Sequence, residues 1–310
     1  MATIQDIVTR EKPLVSGHRM CAGCGIPPII NTIVAASDKP VVIANATGCL
    51  EVTSTIYPFS AWSVPWIHLT FENAAAVASG IESALKALKK KGRINDDVNI
   101  LAVGGDGGTY DIGFQALSGA LERGHKFMYV VYDNQGYMNT GNQRSSATPF
   151  GASTTTVPAG SESFGKPQWR KNIVEITAAH RIPYAAEAAV HNLLDLYNKA
   201  KKGFEANGPA FLAVFQPCTT NWHYDPSLTI QYSRLAAETN FWPLYEIENG
   251  KIKINYKPKE RKPIEEFLKG QGRYRHLLRP ENKPIVEELQ KMIDAEWERL
   301  LKLEEAGVQL

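Results

Sequence analysis

The 310 residues carry 34 Lys+Arg against 32 Asp+Glu, a near balance that supplies neither the basic surface that wraps nucleic acid nor a field for holding an anionic membrane. The opening segment MATIQDIVTREKP has no apolar core of a secretory signal, and no window approaches the ~18 apolar residues of a membrane span, so a cytoplasmic chain is expected. Four cysteines, Cys21, Cys24, Cys49 and Cys218, in that setting point to metal or redox chemistry rather than to disulfides.

Cys21-Ala22-Gly23-Cys24 comes first along the chain. Two thiolates at this spacing reach one centre, and the glycine lets the backbone fold tightly around it. By itself the pair reads as a redox dithiol, as half of a zinc site or as coincidence. A thioredoxin-like dithiol opens a helix after a strand, whereas Pro27-Pro28 follows here almost at once. A zinc ribbon needs a second close pair, and the other two cysteines are single and far apart.

Next come apolar, β-rich runs that end in glycine or a polar residue, each followed by a helix-like segment. Val41 to Ala46 leads into Thr47-Gly48-Cys49. Asn99 to Val103 leads into Gly104-Gly105-Asp106-Gly107-Gly108, with Phe114 to Leu121 as a crossover helix. Phe127 to Tyr132 leads into Asp133-Asn134, and Phe211 to Phe215 into Pro217-Cys218. The pattern predicts an α/β fold with a mostly parallel sheet covered by helices on both faces. Ligands of such sheets collect at the carboxyl ends of the strands, where all of these motifs lie. The four cysteines therefore have the means to meet in one four-thiolate site, of zinc or of iron and sulfur; Cys49 and Cys218 also read as ordinary buried thiols.

Asp106 and Asn134 stand at the ends of successive strands of one strand–helix–strand unit. A hard divalent ion such as Mg²⁺ takes octahedral oxygen ligands, commonly one or two side chains plus phosphate oxygens. Asp106, Asn134 and a carbonyl near Gly136 supply three such oxygens, and the glycines admit phosphate to the backbone N–H groups. No GxGxxG or GxxxxGK[ST] occurs at this turn, so the dinucleotide and nucleoside-triphosphate cradles are missing.

From Gly136 to Gly160 the chain is rich in Ser, Thr, Gly, Asn and Pro, too long for a mere connector, and is expected to cover a ligand. Tyr245 to Ile254 carries the Asn249-Gly250 signal of a hairpin. Amphipathic helices are expected near Ile264 to Leu268 and from Pro284 to about Glu305. The expected organisation is an α/β domain over residues 1–240 and a C-terminal arm over 241–310 that packs on partner subunits.

Taken together, GHRMCAGCG, ATGCLEVTSTIYPFSAWSVPWIH, FENAAAVASGIE, GGDGGTYDIGFQALSGALERGH, YDNQGYMNTGNQRSSATPFGASTTT, FLAVFQPC, ETNFWPLYE and PIEEFLKGQGR resemble the β subunits of pyruvate:ferredoxin oxidoreductases and of relatives acting on other 2-oxoacids, from about residue 17 to about residue 273. The resemblance implies a thiamine-diphosphate-binding fold. It implies that Cys21, Cys24, Cys49 and Cys218 ligate one 4Fe-4S cluster, and that Asp106, Asn134 and the Gly136 carbonyl hold Mg²⁺ on thiamine diphosphate. Gly48, Gly105, Gly107, Gly108, Glu72, Asn73 and Thr140 then fall beside the cofactor, as does Glu51 in a neighbouring motif. Asn139, which by itself reads equally as a turn residue, is implied to reach the reacting carbons.

The glutamate that activates the thiamine ring and the substrate-binding arginine are expected on a partner α subunit, with γ and ferredoxin-like δ subunits, or a fusion of them, completing the complex. The implied reaction is oxidative decarboxylation of pyruvate to acetyl-CoA and CO₂, or its reversal, with electrons passed to ferredoxin. Alternatives are the same chemistry on oxalate without CoA, on 2-oxoglutarate or on branched 2-oxoacids. From other classes come a non-redox thiamine decarboxylase or carboligase and a zinc-stabilised scaffold.

Overall fold

The computed structural model describes residues 3–307. Eight strands form one mixed sheet in the order β2-β1-β3-β4-β6-β5-β7-β8: β1 Val41–Ala46, β2 Trp66–Leu69, β3 Asn99–Gly105, β4 Met128–Asp133, β5 Tyr184–Ala189, β6 Ala210–Phe215, β7 Tyr245–Glu248 and β8 Lys251–Ile254. The first six run parallel to one another, while β7 runs antiparallel to β5 and β8 antiparallel to β7. β4, β5 and β6 are buried along their whole length, as strands sandwiched between helical layers must be. Helices Ala74–Lys90, Phe114–Glu122, Ile173–Ala178 and Lys283–Ala306 close one core with one face. Ile26–Ala35 and Leu193–Glu205 close the other.

The four apolar runs expected as strands are β1, β3, β4 and β6. The sequence reading did not anticipate β2 or β5. The expected hairpin is β7–β8, turning at Asn249 and Gly250, both with positive φ (50° and 81°). Residues 241–306 share the sheet and core of the rest: β7 pairs with β5, Phe241, Trp242, Leu244 and Tyr245 are buried, and the long last helix buries Val286, Leu289, Ile293 and Leu300. Residue 240 is therefore not a break in packing.

Connections from β1 and β3 leave in opposite directions, β1 to the outer β2 and β3 to β4, so a crevice opens between their carboxyl ends, the usual ligand position in an open α/β sheet. The register keeps these ends level. Asn45 faces Val103, Gly105 faces Tyr132 and Asp133 faces Phe215. Gly48, Asp106, Asn134 and Cys218 consequently emerge along one edge.

Candidate functional site

All four cysteines line a single cavity of about 370 Å³. Hydrogen bonds between segments distant in sequence bring them there. The Cys21–Cys24 loop is clasped by two threonines from the far end of the sequence: Thr219 Oγ1 donates to the Ala22 carbonyl at 3.1 Å and Thr229 Oγ1 to the Gly23 carbonyl at 2.7 Å. Gly23 has φ +72°, and a Cβ there would lie 2.2 Å from the Pro226 carbonyl oxygen, so only glycine fits the clasp. On the other side the Arg19 N–H donates to the Thr53 carbonyl at 2.8 Å, tying the loop to the helix that begins at Cys49.

Cys21 is exposed and the other three thiols are partly buried. Burial raises the pKa of Cys24 to about 12 and also raises those of Cys49 and Cys218, with neighbouring cysteines adding to the effect in each. Asn221 Nδ2 points at Cys218 Sγ at 3.8 Å and donates to the Met138 carbonyl at 2.9 Å. Among the described residues no three His, Cys, Asp or Glu side chains close on a single ion; the thiols surround a space instead.

A second cleft, of about 310 Å³, shares Cys49, Asn134, Met138, Asn139 and Thr140 with this cavity. Its walls include Gly48, Gly105, Asp106, Gly107, Gly108 and Gly136. The glycines leave room that side chains would fill: a Cβ on Gly107 would lie 2.4 Å from the Tyr137 ring, and one on Gly48 would lie 2.5 Å from the Tyr132 hydroxyl. Gly107 and Gly108 open a short π-helix, Gly107–Ile112, which widens the first turn beneath the cleft.

Three oxygens meet at its floor. The side-chain oxygen of Asn134 lies 3.0 Å from the Gly136 carbonyl oxygen and 2.9 Å from Asp106 Oδ1. Acceptors this close repel one another unless the amide is turned to donate to both or a cation sits among them. With metal–oxygen distances of about 2.1 Å, adjacent ligands of an octahedral Mg²⁺ stand about 3.0 Å apart, so the donor set fits that ion. Asp106 is 1% exposed, and its other oxygen accepts from Ser145 Oγ. Burial, and after it the charge of Asp133, hold its carboxyl well above the ordinary range, which a cation would reverse. Asp133 faces away and accepts from the Tyr110 hydroxyl at 2.5 Å and the Gln135 N–H at 2.9 Å.

Asn139 and Thr140 lie exposed on the wall between the two spaces. Glu72 and Asn73 do not line either space. They form the turn before Ala74–Lys90, where Asn73 Nδ2 donates to Thr70 Oγ1 at 2.7 Å, and the preceding Phe71 reaches the cleft instead. Glu51 is buried against Thr55 and His68, likewise off the walls. The sequence reading missed Tyr132, Tyr137, Phe71 and Asn221, none of which carries a spacing signature.

The fold and cleft define a thiamine-diphosphate-binding domain, and residues 46–214 match the family described as thiamine pyrophosphate enzyme, C-terminal TPP binding domain; the chain belongs to that family. The chain is 54% identical to the pyruvate synthase subunit PorB of Thermotoga maritima over 97% of this chain and 95% of that one, and 55% identical to PorB of Methanocaldococcus jannaschii over 92% and 95%. The ketoisovalerate oxidoreductase subunit VorB of Pyrococcus abyssi is 45% identical over 95% and 94%. A solved 2-oxoglutarate:ferredoxin oxidoreductase from Magnetococcus marinus shares the fold, with a TM-score of 0.56 at 20% identity over 73% of this chain and 81% of that one. Within the thiamine-dependent class the chain is a β subunit of a 2-oxoacid:ferredoxin oxidoreductase, of the pyruvate synthase type. It is thus one subunit of a larger oxidoreductase. Among the described residues no helix is long and apolar enough to cross a membrane.

Proposed function

We propose that this subunit holds Mg²⁺ and thiamine diphosphate through Asp106, Asn134 and the Gly136 carbonyl, and one 4Fe-4S cluster through Cys21, Cys24, Cys49 and Cys218, in an enzyme that oxidatively decarboxylates pyruvate with CoA and ferredoxin or runs the reverse synthesis. The observation that carries this reading is the shared wall: the three-oxygen floor and the four-thiol cavity are separated only by Cys49, Asn134, Met138, Asn139 and Thr140. Bound thiamine diphosphate supplies the electron sink for decarboxylation, and a cluster takes electrons singly.

The chain's own part is to hold and exclude. Asp106 neutralises charge at the diphosphate, the glycines bring backbone N–H groups to it, and Tyr132, Tyr137 and Phe71 keep water from the cleft. Asn139, on the wall, offers an amide to the reacting carbons. Among the described residues no glutamate lines the cleft; an α subunit would supply the ring-activating glutamate and the substrate-binding arginine. The γ and δ subunits, or a fusion of them, would carry electrons onward, in the cytoplasm.

Iron and acid-labile sulfide assayed on the anaerobically purified complex, together with calorimetry of thiamine diphosphate in the presence of Mg²⁺, test the pair of sites. Absence of iron and sulfide would turn the reading to a non-redox thiamine enzyme. Absence of thiamine diphosphate binding would leave only a metal-stabilised scaffold. A panel of 2-oxoacids with a viologen acceptor, with and without CoA, identifies the substrate; activity without CoA would point to oxalate.

A further inference from the structure

Arg273 is 4% exposed, yet among the described residues no carboxylate lies within 4.0 Å of it. Its guanidinium carbon lies 3.3 Å from the centre of the Trp222 ring and 4.7 Å from that of Tyr274. Nε donates to Gln271 Oε1 at 2.9 Å, while Nη2 is buried with no partner. The indole beneath it belongs to the short helix that starts after Cys218: the Trp222 N–H donates to the Cys218 carbonyl at 3.1 Å, and Nε1 to the Asn134 carbonyl at 3.1 Å.

A buried cation without a counter-charge is strongly disfavoured, and π stacking offsets only part of the cost. Among the described residues no carboxylate sits close enough to balance it. Of the groups whose charge acts on Arg273, Tyr274 and Tyr224 are phenols, and next come Cys218 and then Asp133. Asp133 is already engaged by Tyr110 and Gln135.

We propose that Arg273 is the fixed counter-charge of the thiolate cluster ligated through Cys218, and that it raises the cluster's reduction potential. The proposal rests on the cluster assigned above. Four thiolates give such a cluster a net negative charge that deepens on one-electron reduction, with no bond made or broken. A nearby fixed cation stabilises the reduced state more than the oxidised one. Arg273 is a positioning charge and touches no reacting atom.

The test is an EPR-monitored redox titration of the assembled complex bearing Arg273→Gln, Arg273→Met or Arg273→Lys, beside calorimetry of Mg-thiamine diphosphate. The expected result is a lower midpoint potential in the Gln and Met variants, a value near wild type in the Lys variant, and unchanged cofactor affinity in all three. If the neutral variants assemble without a cluster while the Lys variant retains it, the same charge requirement is read through assembly, in support. An unmoved potential in a cluster-loaded neutral variant overturns the proposal. So does equal loss in all three, which marks a packing residue, or weakened thiamine diphosphate affinity at constant potential, which assigns the charge to the diphosphate. A wild-type complex without iron and sulfide overturns the cluster itself, and this proposal with it.

Discussion

Thr229 Oγ1 donates to the carbonyl oxygen of Gly23 at 2.7 Å across 206 residues of sequence. With the Thr219–Ala22 bond it fixes the Cys21–Cys24 loop against the segment that follows β6. The loop has no regular secondary structure of its own, so these two hydroxyls set its position relative to Cys218. Thr229→Val keeps the shape and removes the bond to Gly23, worth ~1 kcal/mol, together with the hydroxyl's contacts to the Tyr224 hydroxyl at 3.1 Å and the Pro226 carbonyl at 3.3 Å. The fold should survive, while bleaching of the proposed cluster's visible absorption by oxygen or a chelator should quicken severalfold. An unchanged bleaching rate would show that the clasp does not govern the loop.

Asp106→Asn keeps the side chain's size and removes its charge. The three-oxygen floor then loses the charge proposed to compensate the diphosphate, and Mg-dependent affinity for thiamine diphosphate should fall by roughly 100-fold or more. Iron and sulfide content should not change, because Asp106 lines the cleft and not the thiol cavity. Wild-type affinity by calorimetry would remove Asp106 from the ligand set.

How much of this was legible in the sequence follows from what each strand must satisfy. β1, β3, β4 and β6 are continuous runs of Val, Ile, Leu, Phe and Ala, a pattern that a doubly covered strand requires. β5 is Tyr-Ala-Ala-Glu-Ala-Ala, which by propensity favours a helix. The fold makes it a central strand because small side chains let helices Ile173–Ala178 and Leu193–Glu205 approach, and because Arg170 meets the buried Glu187 through two bonds, at 2.9 and 3.3 Å. β2 is an edge strand with exposed Ile67 and His68, so its sequence carries little pattern. The hairpin turn was readable from Asn249-Gly250, but its pairing with β5 is a long-range contact that no local spacing encodes. In the site, glycines and cysteines stood out by position; Asn221 and Arg273 did not, because a lone polar side chain acquires its role only from what the fold sets beside it.

His191 gives the chain an acid sensitivity separate from the proposed metal sites. Its Nδ1 lies 3.0 Å from Ser233 Oγ. Burial first, and then the charge of Arg234, lower its pKa from 6.5 to about 4, against a smaller opposing pull from Glu238. The unfolded chain therefore binds the proton more readily, so this contribution to stability is complete above pH 6.5 and is lost progressively as pH falls toward 4. Between pH 7.5 and 5.5 the loss should be roughly 1 kcal/mol, somewhat less for the part of the ring that stays solvated. Denaturant unfolding of wild type and His191→Gln at these two pH values should show a steeper decline in wild type by about that amount. Equal declines would mean that folding does not lower the pKa of His191.

Cys218 lies 169 positions after Cys49, and the structure places it on the same cavity as the other three thiols. Cys218→Ser should leave the fold intact, since the side chain is only partly buried and the substitution is nearly isosteric. The cluster should be damaged or oxygen-labile, with an altered or absent 4Fe-4S signal, because a serine oxygen replaces a thiolate whose surroundings, including the Asn221 amide, are arranged for sulfur. Ferredoxin reduction should be lost. Thiamine diphosphate binding and substrate-dependent CO₂ release in a single turnover should persist, because Asp106, Asn134 and the Gly136 carbonyl are untouched and carbon chemistry precedes electron removal. EPR, ferredoxin reduction and single-turnover CO₂ release on the reassembled complex read the two halves separately. An intact 4Fe-4S signal with normal ferredoxin reduction would make Cys218 a bystander thiol and leave the cluster one cysteine short, since this chain has no fifth.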